Sequence, residues 1–82
     1  MFVELELYNW IYDDHGVIIY LNQFNIISIK SYEYNDSHGY KKGSILHISG
    51  YKDNKYCKLD PQQIINKFQI NQYNNKFKDY LK

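Results

Sequence analysis

Eighty-two residues with one cysteine, Cys57, and a formal net charge of +1 bound this chain tightly. It is short enough for one domain, 1–82, that buries about 60–65% of its unfolded surface, and no disulfide, zinc ribbon or CxxC redox motif is available to it. All ten basic residues are lysine; arginine, alanine and threonine are absent, and the wealth of Lys, Asn, Ile and Tyr reflects AT-rich codons. Without arginine, bidentate readout of guanine or phosphate loses its usual residue.

In chain order, the opening MFVELELYNW carries two glutamates where a secretory leader has basic residues, and no apolar run approaches the roughly 20 residues of a membrane span. A cytoplasmic protein of a bacterial host, with no membrane partner, is expected. Residues 2–12 alternate: Val3, Leu5, Leu7 and Ile11 on one face, Glu4, Glu6, Tyr8, Trp10 and Tyr12 on the other, which reads as a strand. DDHG (13–16) supplies turn chemistry and VIIYL (17–21) a second, β-branched strand. A three-residue loop, Asp14-His15-Gly16, would pair Asp13 with Val17, set Ile11 opposite Ile19 and Trp10 opposite Tyr20, and collect Leu7, Ile11, Val17, Ile19 and Leu21 on one face; a four-residue loop would mix the faces.

A bend at NQFN (22–25) leads to a third strand over 26–34 with Ile27 and Ile29 as core. The polar, turn-rich NDSHGYKKG (35–43) is the expected mobile loop. A fourth strand follows at 44–51, a turn at 52–55 and a short fifth strand at 56–59. Asp60-Pro61 is the clearest punctuation in the chain, an N-cap followed by proline in the first helical position. Ile64, Ile65 and Phe68 then form a helical stripe over 60–69 that should cover the apolar face of the sheet. In 70–82 a second stripe of Ile70, Tyr73, Phe77, Tyr80 and Leu81 points about 150° away from the first on one straight helix. Either the chain breaks near Gln69–Gln72 or the tail turns an apolar face outward. The expected fold class is therefore α+β: a four- to five-stranded antiparallel sheet (1–59), one C-terminal helix packed on one face, and an amphipathic tail.

Charge is uneven. Residues 1–36 carry six carboxylates against Lys30, whereas 37–82 carry nine lysines against Asp53, Asp60 and Asp79. This asymmetry reads either as an interaction surface or as charge that sheet pairing interleaves and cancels.

Chemistry-bearing residues are sparse. His15 beside Asp13 and Asp14 is the nearest approach to a metal site, but three such groups in a turn lack the ligand set of a specific site. Cys57 and His47 on neighbouring strands could formally be a nucleophile and its base, with no third group to orient them. No P-loop, GxGxxG or HExxH motif is present. No enzyme, metal or cofactor is expected.

Aromatics carry more signal: ten Tyr, four Phe and Trp10 make up 18% of the chain. Tyr8, Trp10, Tyr12 and Tyr20, extended by Tyr32 and Tyr34, fall on the sheet face opposite the helix, and Tyr73, Phe77 and Tyr80 on the tail. Tyrosine and tryptophan suit binding hot spots, and they equally suit the framework of an exposed sheet. The partner read from them is a protein, either a host protein or a second copy in a homodimer. Nucleic acid is the alternative, with bases stacked on the sheet between lysines. Against it, Glu4, Glu6 and Glu33 lie among the aromatic strands, and Lys41, Lys42, Lys52, Lys55 and Lys58 are expected away from Trp10.

The cadence VIIYLN (17–22), IISI (26–29), ILHISG (45–50) and YCKLDPQQIINKF (56–68) resembles small FlbD-type (swarming-motility) proteins and their phage-borne relatives. The likeness covers about 3–68, with the opening Thr-Arg-Leu-Asn-Gly of that type missing, the 35–43 segment longer and the tail extra. It implies a short antiparallel sheet followed by a capped helix, and a flagellar or motility accessory role as a further alternative. The strand-and-helix pattern is also similar to part of LytTR-type DNA-binding domains, without their basic surface. Small size, AT-rich residue usage and an aromatic, acidic surface are shared in kind with phage-encoded inhibitors of host defence such as anti-CRISPR proteins. The leading expectation is a non-enzymatic protein-binding module, an inhibitor encoded by a phage or mobile element.

Overall fold

The computed structural model describes residues 2–69 and shows five antiparallel strands and one helix. The strands do not make one continuous sheet. β1 (Phe2–Leu7) pairs with β2 (Val17–Asn22), while β3 (Ile26–Asp36), β4 (Gly39–Ile48) and β5 (Lys55–Cys57) form a second sheet in that order. One isolated bridge joins the two: Tyr8 and Tyr56 exchange both backbone hydrogen bonds, each 2.8 Å. The single sheet expected from the sequence is thus split, because the chain leaves the β1 ladder one residue after Leu7.

The first hairpin is far more open than its turn residues suggested. Val17 pairs with Leu7, not Asp13, so the connection is residues 8–16 and Tyr20 stands opposite Glu4, not Trp10. Within the β1–β2 ladder the faces nevertheless came out as expected, although Val17 is largely exposed and Ile11, beyond the ladder, left the expected face. The register moved by six positions, and a shift by an even number leaves every side chain on its own side of the sheet. Leu5, Leu7 and Leu21 are buried inward, with Val3 and Ile19 packed beside them.

The second hairpin is far tighter. The expected loop at 35–43 is instead the end of a β-ribbon, with Tyr34 opposite Lys41 and Asp36 opposite Gly39. Asp36 Oδ1 accepts the His38 N–H at 2.7 Å, and Gly39, at φ +106°, takes the positive-φ position so that Ser37 and His38 need not.

A register irregularity between Ile26 and Ser28 turns Ile26 into the core and leaves Ile27 half exposed, where alternation alone had placed Ile27 inside. Before it, the bend at 22–25 is a single 3-10 turn closed by a reciprocal pair of asparagines. Asn22 Oδ1 accepts from Phe24 N at 3.0 Å and Asn25 Oδ1 accepts from Asn22 N at 2.9 Å. Downstream, β4 ends at Ile48, and Gly50 at φ +87° reverses the chain ahead of β5.

The helix, α1 (Pro61–Gln69), begins where Asp60-Pro61 predicts. Asp60 Oδ1 accepts from Gln63 N at 2.8 Å and Gln63 Oε1 accepts from Asp60 N at 2.9 Å, a reciprocal capping box that satisfies two otherwise orphaned donors. Ile64, Ile65 and Phe68 are fully buried against Leu5, Leu7 and Leu21 of the first sheet and Ile26, Leu46, Ile48 and Cys57 of the second. At about 1.5–3 kcal/mol per buried large side chain, this three-residue stripe is what holds the two sheets under one roof. Ser44 lies inside that layer and donates its hydroxyl to the Leu59 carbonyl at 2.8 Å, fixing the lead into the helix. No helix among the described residues is long and apolar enough to cross a membrane. The tail stripe of Ile70, Tyr73, Phe77, Tyr80 and Leu81 lies outside the described residues.

Candidate functional site: an aromatic knuckle on a second core

The segment 8–16 folds back over the outer face of the second sheet, the face away from α1. Paired residues share a face, so Tyr32 with Gly43, Tyr34 with Lys41, and Ile45 with Tyr56 all lie on this side. Ile11 plugs into it and is only 1% exposed. The plug needs a glycine beneath it. A Cβ on Gly43 would stand 3.1 Å from Ile11 Cδ1, 3.4 Å from Tyr34 Cε1 and 2.7 Å from the Cys57 carbonyl oxygen. Ile11 therefore does not continue β1 toward the helix; it builds a small second core on the opposite side.

That second core sorts the aromatic residues. Tyr8 and Tyr34 are buried, and Tyr32 is half-buried with its ring edge-on to Tyr56, centroids 5.5 Å apart. Tyr8 donates its hydroxyl to Glu6 Oε1 at 2.6 Å, and Lys58 Nζ lies 4.5 Å from the centre of its ring. The hydrogen bond to Glu6, aided by burial, pushes the Tyr8 phenol up to about 12, since ionising it would set two anions against each other. Burial likewise raises Tyr34. Gly16 passes so close to this pair that a Cβ there would stand 2.8 Å from Tyr8 Cζ.

Trp10 and Tyr12 stay outside, 52% and 45% exposed, at the apex of the segment. Their turn is latched twice by Asp13, whose N–H donates to the Trp10 carbonyl and whose Oδ2 accepts the Trp10 N–H, both at 3.1 Å. The rings meet edge to face at 4.7 Å, and Tyr12 stands at 90° on buried Tyr34 with centroids 5.9 Å apart. The three rings make a braced relay from the inside of the protein to its surface. An aromatic pair held this way loses little side-chain freedom on meeting a partner. Tyr20 is exposed too, but it belongs to another part of the surface, with its hydroxyl 3.3 Å from Glu4 Oε2. Tyr73, Phe77 and Tyr80 lie outside the described residues.

Two lysines expected far from Trp10 reach this segment. Lys55 Nζ donates to Asn9 Oδ1 at 2.8 Å and Lys58 Nζ to the Asp13 carbonyl at 3.4 Å. The signal missed in the sequence was long-range: only the Tyr8–Tyr56 bridge brings β5 alongside residue 9. The two oppositely charged halves thus interleave. Glu4 and Glu6 share a groove of about 330 Å³ with Lys58 and Lys67, and Glu33 faces Lys42 across the ribbon.

The other chemistry-bearing residues do not converge. Asp13 is committed to its turn, and among the described residues no three His, Cys, Asp or Glu side chains are placed to hold a metal ion. Cys57 points inward with Ser44, and burial pushes its thiol up; His47 is exposed on the opposite face. That pair cannot share a proton. No family model, curated protein or solved structure matches the chain, which neither supports nor refutes the FlbD-type likeness.

Proposed function

We propose that this chain is a non-enzymatic protein-binding module that presents the Trp10–Tyr12 knuckle to a partner protein, in the manner of a small phage- or mobile-element-encoded inhibitor of a host protein. The observation that carries this reading is the coupling of exposure to rigidity. A tryptophan and a tyrosine stand half in solvent, yet Tyr12 is braced from below by Tyr34, and Trp10 leans edge-on against Tyr12 with its backbone held by the Asp13 latch. Hot spots are enriched in these two residue types, and pre-organisation lowers the ordering cost of binding.

The approach of Lys55 and Lys58 to the same segment favours a second reading, in which the knuckle stacks on single-stranded nucleic acid. One experiment separates the two. The full chain and its Trp10→Ala variant are used to capture partners from a bacterial lysate with and without nuclease, and affinities for the captured species are measured at two salt concentrations. A protein partner survives nuclease, weakens at least about thirtyfold with Trp10→Ala and depends modestly on salt. A nucleic-acid partner is lost to nuclease, and its affinity falls log-linearly with salt. Capture that is indifferent to Trp10→Ala overturns the knuckle as the site.

A further inference from the structure

The two sheets have four ladder edges among the described residues; the edge at β5 is met by Tyr8 at Tyr56, and two of the other three are guarded. The edge at β1 carries Glu4 and Glu6, and the Glu4 carbonyl is met by Lys67 Nζ at 3.4 Å. The edge at β3 carries the irregularity at Ile26/Ser28 together with Lys30 and Glu33. Bulges and charges are the usual means by which a sheet edge avoids pairing with another chain.

The edge at β2 has neither. Val17–Asn22 reads VIIYLN, with no charge, no proline and an unbroken register to β1, and Val17 and Tyr20 are 64% and 63% exposed. Among the described residues no strand pairs with its outer side. Its sheet has only two strands, and among the described residues its backbone meets the other sheet at one bridge, so its hold on the rest of the fold is side-chain packing on the face toward α1 and not strand pairing at β2.

We propose that β2 is a self-pairing edge: two copies of this chain join antiparallel through Val17–Asn22 into one four-stranded sheet, β1-β2-β2-β1. A twofold axis perpendicular to the sheet allows only registers that pair odd with odd and even with even residues. These keep both outer faces on one side. Centred on Ile19, such a register sets Ile18 against Tyr20 of the second copy and Val17 against Leu21 of the second copy. No like charges meet, because the strand has none; the glutamates of β1 stay one strand further out on each side. A charged partner strand would find no complement here, whereas a second copy matches side chain for side chain. This pairing is separate from the knuckle, since Trp10 and Tyr12 lie outside β2.

The test replaces Ile18→Lys and Tyr20→Lys together. Within one chain the new lysines face Glu6 and Glu4, which suits the monomer; across the twofold at least two of them face each other in every register centred on or beside Ile19. Sedimentation of the full wild-type chain should show a concentration-dependent dimer, and the double variant should self-associate at least about tenfold more weakly while keeping its circular dichroism. Hydrogen exchange on the wild type reads the same event without any variant, as β2 amides gain protection with concentration and β3 edge amides do not. Trp10→Ala should leave self-association unchanged, so failure of the knuckle and failure of the pairing are distinguishable. A wild type that stays monomeric up to its solubility limit overturns the proposal. So does a dimer indifferent to the two lysines, or one that protects β3 instead of β2.

Discussion

The two hairpins of this protein depart from their turn chemistry in opposite directions. Asp14-His15-Gly16 suggests a three-residue loop, and the chain makes a nine-residue connection, 8–16. Asn35 to Gly43 suggests a long loop, and the chain turns at Ser37-His38. Both stretches contain aspartate, histidine and glycine, so local preference does not distinguish them. What differs is what each stretch can bury. Residues 8–12 hold Tyr8, Ile11 and Tyr12, which gain more by leaving the ladder and covering Gly43 and Tyr34 than by prolonging two strands. Residues 35–43 have almost nothing to bury, so backbone pairing is the one source of stability open to them, and they take all of it. A polar stretch is not thereby a loop, and an alternating one is not thereby a strand.

Removing the plug should break this contrast most severely. Ile11→Ala leaves a hole over Gly43 and should cost about 2–5 kcal/mol in urea unfolding, as for a core residue. A loss under about 0.5 kcal/mol would mark 8–16 as an ordinary surface connection. Next in size, Gly16→Ala should cost about 1–3 kcal/mol because its methyl group collides with Glu6 and Tyr8. Gly39→Ala meets nothing within 4 Å and should cost only about 1 kcal/mol, through its positive φ alone. Gly16→Ala should also disturb the Tyr8 hydrogen bond; Gly39→Ala should not. Equal costs at the two glycines, with the Tyr8 resonance unmoved in both, would show that the first hairpin is held by its turn after all.

The smallest effect is a pH dependence confined to the first hairpin. Tyr8 titrates near 12 in the fold against an ordinary 10, so the fold favours its neutral form. Its contribution is therefore complete below pH 10 and is lost as pH rises from 10 to 12. Tyr8→Phe should remove that part of the alkaline slope. Glu6→Gln should bring the Tyr8 titration, followed by its ring carbon resonance, down toward 10.

Much of the helix and its packing was legible in sequence. Asp60-Pro61 marks the start, and Ile64, Ile65 and Phe68 recur at helical spacing, because capping and amphipathicity act within one or two turns. Gln63, three residues after Asp60, was a readable sign of the reciprocal cap that a reading centred on proline passes over. The inward faces of β1 and β2 were also legible, since alternation survives a register slip of six. Tyr8 and Tyr34 were not legible as buried, because alternation reports which side a residue takes and not whether something covers that side.

The sequence by itself determined the α+β class, the helix entry with its stripe of Ile64, Ile65 and Phe68, and the inward row of Leu5, Leu7 and Leu21. All of these follow from preferences and periodicities that operate over a few residues. Only the tertiary structure decided that five strands divide into two sheets, that Ile11 belongs to a second core, and that Lys55 and Lys58 attend the Trp10 turn. The last two depend on β5 meeting Tyr8 across nearly fifty residues of chain. Whether such a contact forms is settled by the burial it permits at Gly43, Tyr34 and Tyr56 together, a comparison that no local stretch of sequence contains.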